Sequence, residues 1–458
     1  MSLAYHRLPA SAFDMLAAGG GAGAIGLLRR SQYSKHVLLL RGIGEHAPAA
    51  YDLLARAQRR DPAAVGEVVR YPAVGAWAYR TTLALRGGPR RPGACADGLG
   101  NVAAAAAIRA GEPGEIPVST VDGRVVLPSL GAVDVRDCSP GAAASGAGVA
   151  TVRITPEGAR VRTAGGQVDI PARYREAAAG WRPLRPVLPA AGEMAGILVD
   201  DVDPFRMPAA AHTAVAPDLG KWRPAFAGAW DLLRQHHPRV AEEVAAVIAV
   251  AVPLATPPHG QVSSSSPEAF GAVAMSEPAD ARGLAVTLAH EVQHMKLSAV
   301  LDLVVLTRPD DGSRYYAPWR EDPRPASGLL QGTYAHLGVA GFWRRERAAA
   351  PGAGGGCGGG ADGGLDGGGA DGGADADAEF ARWRDAAALG CGTLLASDQL
   401  TSEGERFVAT MTATLRRWLA EPVPERARRL AAAENERHRA RWEGRHGPVR
   451  VPAVLFTA

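Results

Sequence analysis

The chain has 458 residues, and its 50 Lys and Arg side chains nearly balance its 47 Asp and Glu side chains, for a formal net charge of +3. This balance argues against a dedicated nucleic-acid-binding protein, which normally carries a strong basic excess. The 47% hydrophobic and 21% charged residues suffice for sizeable cores and exclude disorder of the whole chain.

Cysteine usage and the N-terminus both favour the cytoplasm. The four cysteines lie far apart and form no CxxC pair, as expected in a reducing compartment. The apolar stretch near the N-terminus is interrupted by Asp14 and a glycine run, unlike a signal peptide. The longest apolar run, residues 244–254, is too short to span a bilayer. We therefore expect a cytoplasmic protein with no membrane partner.

The first region, residues 1–114, is predicted to be helical. Apolar residues recur at helical spacings over residues 8–68, with basic residues between them. Ala-rich stretches at 72–85 and 101–110 continue this pattern.

Residues 115–205 predict a β-rich region. Short β-branched runs at 118–135 and 149–170 are broken by Asp-Gly, Glu-Gly and Gly-Gly pairs, which are typical of hairpin turns. A further strand is predicted at 196–200. This region could bind a peptide along a strand edge.

Residues 206–350 predict a mainly helical catalytic region. The serine-rich and then apolar residues 261–275 indicate a loop followed by an edge strand. The strongest helix signal covers 280–306, with Asp280 as its predicted N-cap. A proline-rich loop at 309–325 separates it from another helix at 327–347.

The C-terminal part begins with a Gly/Ala/Asp-rich insert at 351–378, predicted to be a disordered loop. The remaining residues, 379–458, predict charged helices at 379–388, 397–420 and 424–445. The fold class expected is α+β, a mainly helical catalytic region with an HExxH helix, preceded by a β-hairpin-rich segment.

One motif in the strongest helix carries chemistry. Residues 290–294 read His-Glu-Val-Gln-His, and side chains four apart lie on one helix face, so His290 and His294 can reach one metal ion. From spacing alone the pattern predicts a zinc metalloprotease in which Glu291 is the general base. The alternative without chemistry is a pair of structural core histidines.

A third metal ligand is less obvious from the sequence. A metzincin would place glycine and histidine where Leu297 and Val300 stand. Two acidic residues are considered as the third ligand. Glu346 is surrounded by arginines and is interpreted as part of a solvated charge pair, and Glu321 lies in a loop. His336 lies in an apolar helix after the motif, so it is the best candidate.

The loop between these helices, YYAPWREDPRP at 315–325, combines aromatic residues, prolines and two arginines. The planar guanidinium groups of Arg320 and Arg324 suit carboxylates, so the loop predicts a carboxylate clamp. The alternative is a rigid surface loop whose arginines pair with Glu321 and Asp322.

These segments together resemble a known family. FGAVAMSEP, LAHEVQHMKLSAVLDLVVL and YYAPWREDPRPASGLLQGTYAHLGVAGFWRR resemble the HExxH-type 2-oxoglutarate-dependent peptide β-hydroxylases of ribosomal peptide pathways, which make natural products. The opening LPASAFDMLAAGGGAGAIGLLRRSQYSKHVLLLR is similar too. Some members carry a radical SAM domain. This chain has no CxxxCxxC, so it resembles a stand-alone form, with a separate radical SAM maturase as a further partner.

The resemblance implies an oxygenase that uses Fe(II), 2-oxoglutarate and O2 to hydroxylate the β-carbon of a residue in a precursor peptide. It implies His290, His294 and His336 as iron ligands, and Arg320 or Arg324 as the residue that holds the distal carboxylate of 2-oxoglutarate. No nucleic acid is expected as a partner.

The role of Glu291 and the overall function each keep alternatives. Within the resemblance, Glu291 either supports the metal site or is itself a ligand. Outside it, a zinc metalloprotease and a non-catalytic peptide-binding protein both remain open.

Overall fold

The computed structural model describes residues 6–135, 149–163, 166–190, 196–207, 215–258, 260–349 and 376–449. Over these residues the protein is α+β and mainly helical, as the sequence predicts. The insert predicted at 351–378 lies outside the described residues except for its last three, which begin a helix. None of the described helices is both long and apolar enough to cross a membrane.

The N-terminal region forms helices where the sequence predicts them, but as shorter pieces. They are α1 Ala10–Ala17, α2 Ala22–Gly44, α3 Pro48–Arg60, α4 Pro62–Val69, α5 Pro72–Leu85 and α6 Leu99–Ala110. Three of them begin with proline, whose fixed φ and missing N–H suit the first helical position. The helix α6 ends at Gly111 in the left-handed conformation (φ 64°).

The hairpin-rich region predicted at 115–205 is confirmed. It contains β1 Gly114–Ser119, β2 Arg124–Leu127, β3 Gly131–Asp134, β4 Val149–Thr155, β5 Gly158–Thr163, β6 Gly166–Ile170, β7 Trp181–Pro183, β8 Arg185–Leu188 and β9 Ile197–Val199. One antiparallel sheet has the order β1-β4-β5-β6 and another the order β2-β3-β7. Gly131 (φ 155°) is required where β3 meets β7, because an added Cβ would overlap the carbonyl of Arg182.

A third sheet joins two strands of this region to three later strands. It adds β10 Val250–Pro253, β11 Ser263–Ser265 and β12 Ala272–Met275 in the order β11-β12-β10-β9-β8. The prediction for 261–275 was partly wrong: the serine run is the edge strand, and the apolar run is an interior strand parallel to β10. Strands buried on both faces are apolar throughout, which explains the composition of β12.

The HExxH region, named here for its motif, contains helices α7 Leu219–His236, α8 Pro238–Val247, α9 Ala281–Leu301 and α10 Ala326–Ala349, and it is followed by the C-terminal helices α11 Ala376–Leu395, α12 Ser402–Leu419 and α13 Glu425–His446. The side chain of Asp280 caps α9 by accepting from the Gly283 amide. One face of α9, with Leu288 and Val292, packs among buried residues of α7 and the third sheet. Another face, with Leu297, packs among buried residues of α1, α10 and α12. This burial on several faces explains why α9 is apolar almost all round.

Candidate metal centre

The HExxH residues lie in the middle of α9, where two faces of the helix are packed in the core. The Nε2 atoms of His290 and His294 are 3.0 Å apart. Two nitrogens bound to one metal ion at about 2.1 Å are about 3.0–3.4 Å apart. The spacing therefore fits two ligands of one metal ion, and it equally fits a hydrogen bond between the two rings.

The imidazole of His336, on α10, adjoins this pair, with ring centroids 5.1 Å from those of His290. Its Nδ1 donates to the carbonyl of Gly332 at 2.8 Å, so the proton is on Nδ1 and Nε2 carries the lone pair. That Nε2 atom is buried and has no hydrogen-bond partner among the described residues. An unprotonated, unpartnered ring nitrogen suits a metal ligand.

Burial keeps the imidazoles of His290 and His336 neutral. It lowers the pKa of His336 to about 3. Burial, together with the neighbouring imidazoles of His294 and His336, lowers the pKa of His290 well below its usual value. Neutral imidazole is the form that binds metal ions.

Neighbouring polar groups orient the motif further. Nδ1 of His294 lies 3.1 Å from the amide oxygen of Gln331, a contact that leaves Nε2 available, as is usual for metal-binding histidines. The buried Glu291 accepts at Oε1 from the hydroxyl of Ser263 at 2.7 Å. Its Oε2 atom and Nδ1 of His290 have no hydrogen-bond partner within the described residues.

The donor nitrogens of the three imidazoles do not converge on one metal position. Within the described ranges, no three His, Cys, Asp or Glu side chains place their donor atoms so that they could hold a metal ion together. The ring of His336 instead stacks on Trp319 (centroids 4.4 Å apart) and contacts the tilted ring of Trp383 (4.7 Å). The donor chemistry fits a metal ion, with two nitrogens at ligand spacing and a third neutral imidazole beside them.

A cavity of about 710 Å³ opens onto these histidines, and both predicted arginines line it. Arg320 and Arg324 donate to the two carboxylate oxygens of Asp322, at 2.6 and 3.0 Å. Burial raises the pKa of Asp322, but these two hydrogen bonds outweigh it and the pKa is lowered overall. The arginines thus face the cavity and pair with Asp322 at the same time, whereas Glu321 pairs with Arg445.

No model of a known protein family matches this sequence, and no curated protein does either.

Part of the cavity wall comes from residues that the sequence did not single out. They belong to α11 and α13 and are Arg382, Trp383, Glu434, His438 and Arg441. Arg382 stacks on Trp383 at 4.5 Å, its side chain is 10% exposed, and its carboxylate neighbours Glu379 and Glu434 are 3.8 Å away. Charged helices usually indicate a solvated face, which is why the sequence did not single these residues out. The tryptophan in RWR at 382–384 was the one sign that this face of α11 is partly buried.

Glu346 is not the solvated residue that the sequence predicted. It is 8% exposed and accepts from Nε2 of His237 at 2.8 Å. The surrounding arginines suggested a surface position, but α10 turns Glu346 towards the junction of α7 and α8. It lines no part of the cavity, in keeping with its rejection as a ligand.

Proposed function

We propose that this protein is an iron- and 2-oxoglutarate-dependent oxygenase that hydroxylates the β-carbon of a residue in a ribosomally made precursor peptide. One observation carries the proposal: a single cavity contains the HExxH pair, a third neutral imidazole and arginines suited to a dicarboxylate. A zinc hydrolase needs the HExxH pair and a third ligand, but it needs no clamp for the carboxylate of a co-substrate.

The histidines have distinct tasks in this proposal. His290, His294 and His336 would hold the iron, each through Nε2. When bound with 2-oxoglutarate and O2, the iron would supply the oxidising chemistry that replaces a C–H bond by C–OH. The contacts from Gln331 to His294 and from Gly332 to His336 hold these rings in the tautomer that leaves Nε2 free.

The arginines would hold the co-substrate. A guanidinium group forms two parallel hydrogen bonds to a carboxylate, and Arg324, whose side chain is 34% exposed, is better shielded from water than Arg320 at 51%. Trp319 and Trp383 both contact the His336 ring, which is only 3% exposed to water. A dry pocket protects a reactive oxidant from side reactions.

A zinc metalloprotease is the second candidate, and Glu291 favours it. Its Oε1 atom is held by Ser263, while Oε2 is buried without a partner among the described residues and next to the HExxH pair. A carboxylate oxygen in that state can accept a proton from an attacking water molecule. In the oxygenase, Glu291 would instead support the site or serve as a ligand.

We place the reaction in the cytoplasm, with a separate radical SAM maturase acting on the same precursor peptide. The thiols of Cys95 and Cys391 are unpaired in the described part of the chain, as is usual in a reducing compartment.

Metal analysis of anaerobically purified protein, followed by turnover with precursor peptides encoded beside its gene, tests the proposal. We expect bound iron, a peptide heavier by one oxygen, and one succinate formed per hydroxylation. Peptide cleavage by the zinc-loaded protein, indifferent to 2-oxoglutarate and O2, would instead establish the protease.

A further inference from the structure

The edge strand β11 runs along the cavity that contains the histidines. Ser263, Ser264 and Ser265 all line this cavity. Successive side chains of a strand point to opposite faces of the sheet. Three consecutive residues can therefore border one cavity only if the cavity follows the edge of the strand itself.

The pairing register shows which backbone groups of β11 face outward. Val262, just before the strand, uses both backbone groups towards β12, since its N–H donates to the Ser276 hydroxyl (3.1 Å) and its carbonyl accepts from the Ser276 amide (2.9 Å). Residues of an antiparallel strand alternate between facing the partner and facing away. Ser264, opposite Ala274, therefore faces β12, while Ser263 and Ser265 direct N–H and C=O away from it. These outward groups have no backbone partner among the described residues.

The edge is linked directly to the motif. The hydroxyl of Ser263 donates to Glu291, the neighbour of His290 in the chain, so the face of β11 that carries this side chain is the face where α9 lies. Residues directly opposite each other on paired strands point to the same face. A peptide residue opposite Ser263 would thus direct its Cβ towards the HExxH helix.

We propose that an extended segment of the substrate peptide pairs with β11 through backbone hydrogen bonds to Ser263 and Ser265, adding a strand to the sheet. This rests on the proposed function in taking a peptide as the substrate. The pairing is short because only Ser263 and Ser265 direct their backbone groups outward. Pro267 and the turn after Ser265 end it on one side. Backbone pairing carries no side-chain specificity, so we infer that sequences around the modified residue vary, while an unsubstituted, extended backbone is required.

The test uses the metal-free full chain and a fluorescein-labelled pool of capped heptapeptides of mixed sequence. The variant is Ser265→Pro, which removes one outward N–H and is tolerated at a sheet edge because that N–H makes no ladder bond. Ser265→Ala is the matched control, since it removes the hydroxyl and keeps the N–H. A second pool is N-methylated at alternate residues, so its peptides lack the N–H groups that the pairing requires. It tests the same pairing with the wild-type protein.

We expect Ser265→Pro to weaken pool binding about threefold to tenfold relative to Ser265→Ala, the effect of one backbone hydrogen bond. The N-methylated pool should bind wild-type protein correspondingly weakly. In wild-type protein the pool should slow hydrogen exchange at the amides of Ser263 and Ser265 much more than at Ser264, whose amide already bonds to β12.

Equal binding of both pools, or unchanged exchange at Ser263 and Ser265 with the pool at millimolar concentration, would overturn the inference. Because no metal or 2-oxoglutarate is present, this result is independent of the oxygenase proposal. Slowed exchange without any later hydroxylation would contradict the oxygenase and leave the peptide-binding edge standing. Hydroxylation with equal peptide KM values for Ser265→Pro and Ser265→Ala would support the oxygenase and contradict peptide pairing with β11.

Discussion

The side chain of His336 is held in one tautomer and one orientation by its surroundings. The Gly332 carbonyl accepts a hydrogen bond from its Nδ1–H, and contacts with Trp319 and Trp383 restrict rotation of the ring. Such buried imidazoles with one unpartnered nitrogen are uncommon, because an unsatisfied buried polar atom costs about 1–3 kcal/mol. A metal ion bound at Nε2 would remove that cost.

We predict that His336→Ala loses iron, whereas His438→Ala, which removes another imidazole of the same cavity, keeps it. Changing residues that only support a metal ligand already weakens metal binding about 10- to 100-fold, so loss of a ligand should exceed that range. Iron titration of the metal-free variants, with thermal unfolding to verify folding, measures the difference. Similar iron affinities for the two variants would remove His336 from the ligand set.

The two loop arginines differ in how far they are shielded from water, and this difference should appear in the 2-oxoglutarate requirement. Loss of a charged hydrogen-bond partner costs about 2–5 kcal/mol when the pair is buried, and less when water screens it. We predict that Arg324→Ala raises the apparent 2-oxoglutarate requirement at least about tenfold, that the more exposed Arg320→Ala raises it less, and that both retain iron.

The matched control for these variants is Arg314→Ala. Arg314 lies in the same loop, pairs with Asp310 at 2.9 Å and does not line the cavity. Succinate formation against 2-oxoglutarate concentration gives the comparison. An effect of Arg314→Ala equal to that of Arg324→Ala would show that the loop acts through its general charge and not through a clamp.

At the scale of elements, the loop at 315–325 has its two ends joined by backbone hydrogen bonds and is bound to α13 by side-chain contacts. The backbones of Tyr315 and Arg324 exchange two hydrogen bonds, of 2.8 and 2.9 Å. The hydroxyl of Tyr316 lies 2.9 Å from Nδ1 of His438, and the Glu321 carbonyl accepts from His446 at 2.8 Å. The loop and the last helix therefore form one wall of the cavity.

The helix α10 approaches this loop closely at Gly332, where an added Cβ would overlap the indole nitrogen of Trp319. We predict that Gly332→Ala destabilises the protein by about 1–3 kcal/mol, the usual cost of overpacking, and moves Trp319 off the His336 ring. Thermal unfolding and near-ultraviolet circular dichroism measure both effects.

The control for this substitution is Gly42→Ala. Gly42 is an exposed glycine of α2 whose added Cβ would meet no described atom within 4 Å. Alanine there should stabilise the protein by about 0.5–1 kcal/mol through the entropy of the unfolded chain. If Gly332→Ala also stabilised the protein, this result would contradict the close approach of Gly332 to Trp319.

At the scale of the whole molecule, the first helices belong to the same core as the HExxH region and the C-terminal helices. Phe13 packs edge-on against Phe407 with centroids 5.4 Å apart, and the hydroxyl of Tyr334 donates to the Leu16 carbonyl at 2.6 Å. Lys296, two residues after the motif, is fully buried with Glu243 at 2.8 Å and also donates to the Gly19 carbonyl. The N-terminal segment therefore packs against α9, α10 and α12 and supports the helix that carries the motif.

We predict that Phe13→Ala lowers the free energy of unfolding by about 3–5 kcal/mol, as for other buried phenylalanines. Met15→Ala, two residues away with the side chain 45% exposed, should change it by less than about 0.5 kcal/mol. Urea unfolding followed at α-helical wavelengths gives both values. A small effect of Phe13→Ala would mean that α1 contributes little to the core that it shares with α9, α10 and α12.

The α+β class, the hairpin region, the HExxH helix and the cap at Asp280 could all be predicted from sequence, because each depends on local periodicity or turn chemistry. The serine run could not be recognised as an edge strand, since its pairing with β12 is a non-local contact. Glu346 was misjudged for a related reason: its neighbours in the chain are arginines, but its partner His237 lies 109 positions away.

The sequence by itself determined the chemistry available at the site, since two histidines four apart on a helix share a face wherever that helix lies. Tertiary structure alone decided what surrounds them. Ser263, Arg382 and Trp383 reach the same cavity from segments that are separated along the chain by more than a hundred residues. No local pattern encodes such an arrangement, because it arises from the packing of helices and sheet edges around a shared core.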